Sequence, residues 1–282
     1  MRITTLLAAL GCLSASPALA GCAGEETACE IEGGQYHIVL PDDADGPLPA
    51  LMFLHGWGSS GEGVLRNRNL VEAALARGYA VIAPDGLPRE GANGRSWSFH
   101  PERAQRRDEI GFLTQVRDDV ARHGVDVEEI SLGGFSIGGS MVTYLACAAP
   151  ETFAVYLPVG GSFWRPHPDM ASCGGPVRLL HTHGWTDGTV PLEGRLLRGE
   201  SWQDADAVVQ GDVFYAMEIW RATNGCAQSR PDTDRFVTDD YYLRRAWMEC
   251  SEGSALELAI FPGGHTVPRG WADFALDWVE AF

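Results

Sequence analysis

The chain has 282 residues, of which 45% are hydrophobic, 21% charged and 10% aromatic, as expected for a globular protein with a sizeable core. Its formal net charge is −17, and all 21 cationic residues are arginines. Because phosphate backbones and anionic membranes repel such a chain, we expect no nucleic-acid partner, and no membrane contact unless the chain carries a lipid.

The first 20 residues have the pattern of a secretory signal peptide. Arg2 supplies the positive start, an apolar stretch follows, and "ALA" forms a small-residue cleavage site before Gly21. The order Leu-Ala-Gly-Cys at 19–22 is also typical of a lipoprotein box, in which Cys22 is acylated. We expect simple export, to the periplasm or the exterior, with lipid anchoring at Cys22 as the alternative.

Beyond the signal, apolar runs bounded by turn residues alternate with segments of helical period. The pattern predicts, in chain order, strands at 36–41 and 49–56, a helix at 62–78, a strand at 79–86, a helix at 107–124, a strand at 128–136, a helix at 137–149, strands at 153–161, 177–184 and 255–264, and a helix at 270–282. Such alternation predicts an α/β fold with a mainly parallel sheet and helices on both faces. No repeat or low-complexity linker interrupts residues 21–282, which we expect to form a single domain.

Six cysteines remain once Cys12 leaves with the signal, and they allow 15 disulfide connectivities among which the sequence does not choose. We expect neighbours along the chain to pair, in a compartment where such bonds persist. A lipid on Cys22 would leave one cysteine without a partner, which favours simple export. The expected pairs are Cys22–Cys29, Cys147–Cys173 and Cys226–Cys250.

Ser136 lies between glycines in the stretch Gly134-Phe135-Ser136-Ile137-Gly138, after a strand and before a helix. Ligands of parallel sheets lie beyond the carboxyl ends of the strands, where this serine is placed. A sharp, strained turn with small neighbours exposes a nucleophile in this position. We therefore predict Ser136 as the nucleophile and the Ile137 N–H as a donor to the substrate oxyanion. The alternative is a tight turn with an inert serine.

A nucleophilic serine needs a base, and the base needs an acid that orients it. Asp187 lies in a turn just beyond the strand at 177–184, and His265 follows the last strand. The chain order of serine, acid and histidine is that of α/β-hydrolases. We predict Ser136, Asp187 and His265 as a catalytic triad, while a turn aspartate and a loop histidine are the plainer alternatives.

Two loops also carry tryptophans. The loop after the strand at 49–56 offers the N–H of Trp57 as the second oxyanion donor, and His55 is expected to orient this loop rather than act as a second base. The indoles of Trp57 and Trp185 are predicted to line a substrate cleft. Core packing is expected for Trp271 and Trp278 in the last helix.

The stretches "LHGWGSSG", "GGFSIGGS", "HTHGWTDGTVP" and "PGGHTVP" together resemble the esterase family of polyhydroxybutyrate depolymerases and feruloyl-esterase-like secreted hydrolases, over about residues 30–282. The resemblance implies an α/β-hydrolase fold and hydrolysis of polyester, hydroxycinnamoyl or acyl-carbohydrate esters. It assigns the triad to Ser136, Asp187 and His265 and the oxyanion donors to Trp57 and Ile137. No metal or organic cofactor is expected.

The resemblance also bears on two details near His265. Relatives often carry a cysteine pair before the catalytic histidine, which Cys226 and Cys250 match. Many have a tryptophan where Val267 stands here, so the wall beside His265 departs from the family pattern.

Other functions and features stay open at this stage. The same triad serves serine peptidases, and a hydrolase fold can also be a non-catalytic binding protein. His181 and His183 lie on one face of a strand, where a hydrogen-bonded buried pair is expected in preference to a metal site because no third ligand has a matching spacing.

The separation of Asp187 and His265 is longer than one helix and one strand require. We expect the segments 195–212 and 229–240, tethered by Cys226–Cys250, to form a partial cover over the active site.

Overall fold

A computed structural model of the chain describes residues 21–42, 46–204, 206–227, 243–247 and 249–282. The predicted signal at 1–20 and the segment 229–240 of the predicted cover lie outside the described residues. The strands are, in chain order, β1 Cys29–Ile31, β2 Gly34–Val39, β3 Leu48–Leu54, β4 Ala80–Pro84, β5 Leu87–Pro88, β6 Arg95–Ser96, β7 Val125–Phe135, β8 Val155–Val159, β9 Trp164–Arg165, β10 Arg178–Gly184, β11 Arg195–Arg198, β12 Val208–Gln210, β13 Leu243–Trp247 and β14 Ala255–Phe261. The helices are α1 Gly61–Leu65, α2 Arg68–Ala76, α3 Glu109–Asp119, α4 Ile137–Ala148, α5 Val213–Thr223 and α6 Trp271–Val279.

A large sheet organises the described part of the chain. It contains nine of the strands above, in the order β1-β2-β4-β3-β7-β8-β10-β14-β13. The strands from β4 to β14 in that order run parallel, and antiparallel pairs occur only toward the two edges, at β1–β2, β2–β4 and β13–β14. The predicted α/β-hydrolase fold, with a mainly parallel sheet, is confirmed.

Helices bury both faces of this sheet. Along β3, Leu51 and Phe53 pack into the core under α1, α2 and α6, whereas Met52 and Leu54 pack into the core under α3, α4 and α5. Since successive strand side chains point to opposite faces, a strand covered on both sides is apolar throughout, as β3 is. Trp271 and Trp278 are buried, as expected, with Trp271 packed edge-on against Phe53.

Two predicted helices have different bounds in the structure. The helix expected at 62–78 is two helices, α1 and α2, because the side chain of Asn67 accepts a hydrogen bond from the Leu70 N–H (3.4 Å) and begins a new helix there. The helix expected at 107–124 is shortened to α3. Its start is set by Asp108, whose carboxylate accepts from the Gly111 N–H (3.0 Å), and a 3-10 turn follows its end.

Several strands occur in segments for which no strand was predicted, among them the edge strands β1 and β13 of the large sheet. Strands β5 and β6 form a hairpin within the polar stretch after β4. Between Asp187 and His265, β11 and β12 pair with β9 in a separate three-stranded sheet, and α5 follows. Strands of two to four residues carry too little pattern to be recognised from sequence.

The three disulfides are Cys22–Cys29, Cys147–Cys173 and Cys226–Cys250, the neighbour pairs expected from the sequence. The bond at Cys22 uses the sulfur that lipidation requires. In the described part of the chain, no helix is long and apolar enough to cross a membrane.

The turn after β8 gives a stability prediction. A Cβ on Gly161 would lie 2.0 Å from the carbonyl oxygen of Ser136 and 2.5 Å from the N of Ser140, so Gly161→Ala displaces backbone. We expect a loss of about 1–3 kcal/mol in the free energy of unfolding, measured by urea denaturation. Gly188→Ala is the control, because a Cβ there meets nothing within 4 Å. Equal urea midpoints for Gly161→Ala and Gly188→Ala would show that the close approach at Gly161 does not affect stability.

Candidate active site

Ser136 occupies the turn between β7 and α4. Its φ of 58° and ψ of −121° are unusual for a residue other than glycine, and such a conformation costs about 1–3 kcal/mol. The turn is held by a hydrogen bond from the Ser136 N–H to the carbonyl of Val159 (2.8 Å) and one from the Ser140 N–H to the carbonyl of Ser136 (2.9 Å). These bonds fix the backbone from which the Ser136 side chain projects.

The glycines beside Ser136 are required by close backbone approach. A Cβ on Gly134 would lie 2.6 Å from the carbonyl oxygen of Gly138, and one on Gly138 would lie 2.5 Å from that of Leu54. Larger residues would push α4 away from β3 and β7. These close backbone contacts explain why glycines lie two residues before and two residues after Ser136, as the motif predicts.

Ser136, His265 and Asp187 form a continuous hydrogen-bonded chain. The Oγ of Ser136 lies 2.8 Å from Nε2 of His265, and Nδ1 of His265 lies 2.6 Å from Oδ2 of Asp187. The three residues follow β7, β14 and β10, whose carboxyl ends meet at one edge of the sheet. The structure thus brings together the three residues predicted as a triad.

The carboxylate of Asp187 is buried and hydrogen-bonded. Burial by itself would raise its pKa, but His265 and the N–H groups of Val190 and Thr189, each 2.8 Å from Oδ1, outweigh burial and lower the pKa. The carboxylate is therefore ionised, and it accepts a hydrogen bond from the Nδ1–H of His265. This leaves Nε2 of His265 free to accept from the hydroxyl of Ser136.

His181 and His183 lie on β10, just before the turn that carries Asp187, and both side chains are fully buried. Nε2 of His183 lies 2.7 Å from the carbonyl oxygen of Val190, which only accepts, so His183 carries its proton on Nε2. Its Nδ1 accepts from Nε2 of His181 at 3.0 Å. Burial lowers the pKa of both histidines, so both are neutral.

The histidine pair therefore matches the buried, hydrogen-bonded arrangement expected from the sequence. It also fixes the turn at Asp187, which was not predicted. Val190 is bonded on both sides: its N–H donates to Asp187 and its carbonyl accepts from His183. Nε2 of His183 is also 3.6 Å from Oδ2 of Asp187. His183 thus holds the turn that carries the acid.

The two predicted oxyanion donors are the backbone N–H groups of Ile137 and Trp57. Ile137 is the first residue of α4, so its N–H has no acceptor within the helix. The carbonyl of Gly56 accepts from Nδ1 of His55 (2.8 Å) and from the Ser59 N–H (3.2 Å). Because a trans peptide is planar, the N–H of Trp57 points to the opposite side from that carbonyl.

His55 orients this loop. Its Nε2 accepts from the Gly86 N–H at 3.0 Å while its Nδ1 donates to Gly56, and burial lowers its pKa. Both ring nitrogens are occupied by backbone, which agrees with the loop-orienting role predicted for this residue. A Cβ on Gly56 would lie 3.5 Å from that of Ser136, so the loop is adjacent to the nucleophile.

Asp85 and Arg95 support the Trp57 loop and were not identified from the sequence. The buried carboxylate of Asp85 accepts from the Gly61 N–H (2.6 Å) and lies 3.3 Å from Nε of Arg95. The backbone of Arg95 in turn pairs with Gly58 (2.9 Å) and Ser59 (3.0 Å). An aspartate directly after a buried strand was the available signal, but the polar stretch that supplies Arg95 has no periodic pattern.

A cavity of about 430 Å³ opens beside Ser136 and is largely apolar. Trp57 lines it and is 60% exposed, whereas Trp185 is 63% exposed and is not among the lining residues. Of the described residues of the segment 195–212, which omit position 205, none lines the cavity, so this part of the segment does not cover it as we expected. The lining includes Phe53, Val64, Leu70, Phe135, Thr189, His265 and Val267.

Comparisons with known proteins agree with this geometry. The sequence profile of the phospholipase/carboxylesterase family matches residues 36–217. NocK of Nocardia uniformis subsp. tsuyamanensis, which bears the name of an esterase, is 30% identical over 265 residues, covering 88% of this chain and 72% of NocK. Feruloyl esterase B of Piromyces equi is 25% identical over 221 residues, covering 75% of this chain but only 38% of that longer protein.

Among solved structures, an acetyl xylan esterase from Aspergillus awamori superposes with a TM-score of 0.64 at 14% identity, covering 88% of this chain and 94% of the other. This likeness shows the shared fold. The profile match covers more than half of the chain, and the relatives are named as esterases. The chain therefore belongs to the phospholipase/carboxylesterase family of α/β-hydrolases and is a hydrolase of ester bonds.

Proposed function

We propose that this chain is an exported serine esterase in which Ser136, His265 and Asp187 perform the hydrolysis, within a single catalytic domain at 21–282. The observation that carries the proposal is the unbroken hydrogen-bonded chain from Oγ of Ser136 to the carboxylate of Asp187. Export is supported by the signal-like N-terminal sequence and by three disulfides.

In the first half of the reaction, Oγ of Ser136 attacks the ester carbonyl carbon while Nε2 of His265 takes the hydroxyl proton. Asp187 stabilises the imidazolium that forms and holds the ring in orientation. The N–H groups of Trp57 and Ile137 bind the developing oxyanion. His265 then passes its proton to the leaving alcohol, and the acyl group remains bonded to Ser136.

In the second half, a water molecule attacks the acyl-serine carbonyl while His265 accepts its proton. The same two N–H groups bind the second oxyanion. Collapse of this intermediate returns the proton to Ser136 and releases the carboxylic acid. Every step uses only the three side chains, the two backbone donors and water.

The apolar cavity beside Ser136 favours an ester with an apolar or aromatic arm. Feruloyl esterase relatives support hydroxycinnamoyl esters as the first substrates to test. Acyl-carbohydrate esters come next, because the acetyl xylan esterase shares the fold. Polyester, suggested by the resemblance in sequence alone, completes the panel.

The proposed role of Ser136 as nucleophile predicts that activity is lost when its hydroxyl is removed. Ser136→Ala removes the attacking oxygen, so we expect hydrolysis of methyl ferulate and p-nitrophenyl acetate to fall by about 10³- to 10⁴-fold or more. A serine-directed phosphonate should add its mass to wild type at Ser136 and not to the variant. Ser172→Ala, an exposed serine outside the cavity, is the control. Undiminished activity of Ser136→Ala would overturn the proposal.

The lowered pKa of Asp187 predicts a pH dependence of stability. Its carboxylate contributes stability that is fully present above the unfolded pKa, about 4, and is lost as the pH falls through the lower folded value. In urea denaturation at pH values from 5 to 3, the stability difference between wild type and Asp187→Asn should shrink as the pH falls. A difference that grows between pH 5 and pH 3 would contradict the assignment.

His183 is predicted to be a positioning residue for Asp187. His183→Phe removes the donor to Val190, so the acid shifts and kcat per phosphonate-titrated site should fall about 10- to 100-fold. His183→Gln keeps an N–H in reach of that carbonyl and should restore most of the rate. If both variants lose thermal stability but keep the wild-type kcat per titrated site, the role of His183 is structural only.

A further inference from the structure

The guanidinium of Arg89 lies over a side chain that lines the cavity beside Ser136. Its central carbon is 4.2 Å from the ring centroid of Trp57. Trp57 is well exposed and Arg89 is half-buried beside it. Arg89 itself is not among the lining residues, so its positive charge lies just outside the cavity, beside the wall that Trp57 forms.

The backbone holds Arg89 in this position. The Arg89 N–H donates to the carbonyl of Gly94, and its Nη1 donates to the carbonyl of Asn93, both at 3.0 Å. The same hairpin is joined to the Trp57 loop through Arg95, whose carbonyl accepts from the Gly58 N–H. These contacts order the Arg89 side chain before substrate arrives. Binding a ligand therefore costs little further side-chain entropy of Arg89.

The charge of Arg89 is not matched by a neighbouring acid. Within the described ranges no carboxylate lies within 4 Å of its guanidinium, although the chain as a whole carries −17. Other arginines around the same hairpin do have partners. They are Arg66 with Glu62 (3.2 Å), Arg95 with Asp85 (3.3 Å) and Arg106 with Glu90 (3.5 Å).

The N–H geometry of the guanidinium indicates which ligand fits. All of its N–H groups lie in its own plane and point outward from the central carbon. Nη1 is occupied by Asn93, whereas the edge formed by Nε and Nη2 has the fork geometry that a carboxylate accepts in a bidentate pair. An acidic group on a substrate that lies against Trp57 would meet this edge.

We propose that Arg89 forms an anionic subsite, so that the preferred substrates are esters with a carboxylate on the arm that lies along Trp57. Hemi-esters of dicarboxylic acids and esters of acidic sugars belong to this class. The proposal rests on the proposed function, because it places this subsite beside Ser136. Its rival is a purely mechanical role, in which Arg89 only supports the indole of Trp57.

Two matched pairs of esters test the subsite on both arms of the substrate. On the acyl arm, mono-p-nitrophenyl adipate is compared with p-nitrophenyl hexanoate, which replaces the terminal carboxylate with a methyl group. On the alcohol arm, 4-carboxyphenyl acetate is compared with 4-carbamoylphenyl acetate. The measured quantity is the ratio of kcat/KM for the anionic ester to that for its neutral partner.

We expect Arg89→Gln to lower this ratio about three- to tenfold for one of the two pairs, mainly through KM. Arg89→Lys should retain part of the preference, and added NaCl should reduce it in wild type because the site is open to solvent. Arg66→Gln is the matched control. It removes the same charge from a neighbouring cleft and should leave the ratio unchanged.

An equal fall for anionic and neutral esters in Arg89→Gln would overturn the subsite and establish the mechanical role. An equal fall of the ratio in Arg66→Gln would also overturn the subsite. The preference for anionic esters would then come from the overall electrostatic field of the protein rather than from Arg89. Failure of the proposed function looks different: no ester in either pair would then be hydrolysed in a manner that depends on Ser136.

Discussion

The strained turn at Ser136 is the constraint on which the rest of the site depends. A serine with positive φ persists only because the ends of β7, β8 and α4 are packed closely enough to hold it, through bonds to Val159 and Ser140. That closeness excludes side chains at Gly134 and Gly138. In return, the hydroxyl projects toward His265, and Ile137, the first residue of α4, follows it in the chain.

The proposed base His265 and the proposed acid Asp187 are held in place by hydrogen bonds in a buried setting rather than by surface charge. Asp187 is ionised in a buried setting because three hydrogen bonds outweigh the cost of desolvation. One of those bonds comes from Val190, whose carbonyl is held by a neutral histidine pair beneath it. The orientation of His265 therefore depends on Val190, which bonds directly to the Asp187 carboxylate, and on His183, which bonds to Val190. Neither residue touches the ester.

The sequence predicted correctly those features that depend on a short stretch of the chain. Long apolar runs such as β3, β7 and β10 were recognised because both sheet faces are covered, and Ser136, Asp187 and His265 were found because each directly follows a strand. The break between α1 and α2 was missed because one capping side chain, that of Asn67, outweighs a continuous helical period. The three-stranded sheet was missed because its strands depend on each other across 46 residues, from β9 to β12.

The sequence by itself determined the fold class, the chain order of the proposed triad and the need for glycine at Gly134 and Gly138, because each of these depends on spacing along one chain. Only the tertiary structure decided that Trp57 lines the cavity while Trp185 does not, and that the guanidinium of Arg89 lies over Trp57. It also placed His183 against the turn of Asp187. The physical reason is that these contacts join loops from different strands, and their geometry follows from how the sheet twists and packs rather than from any local preference.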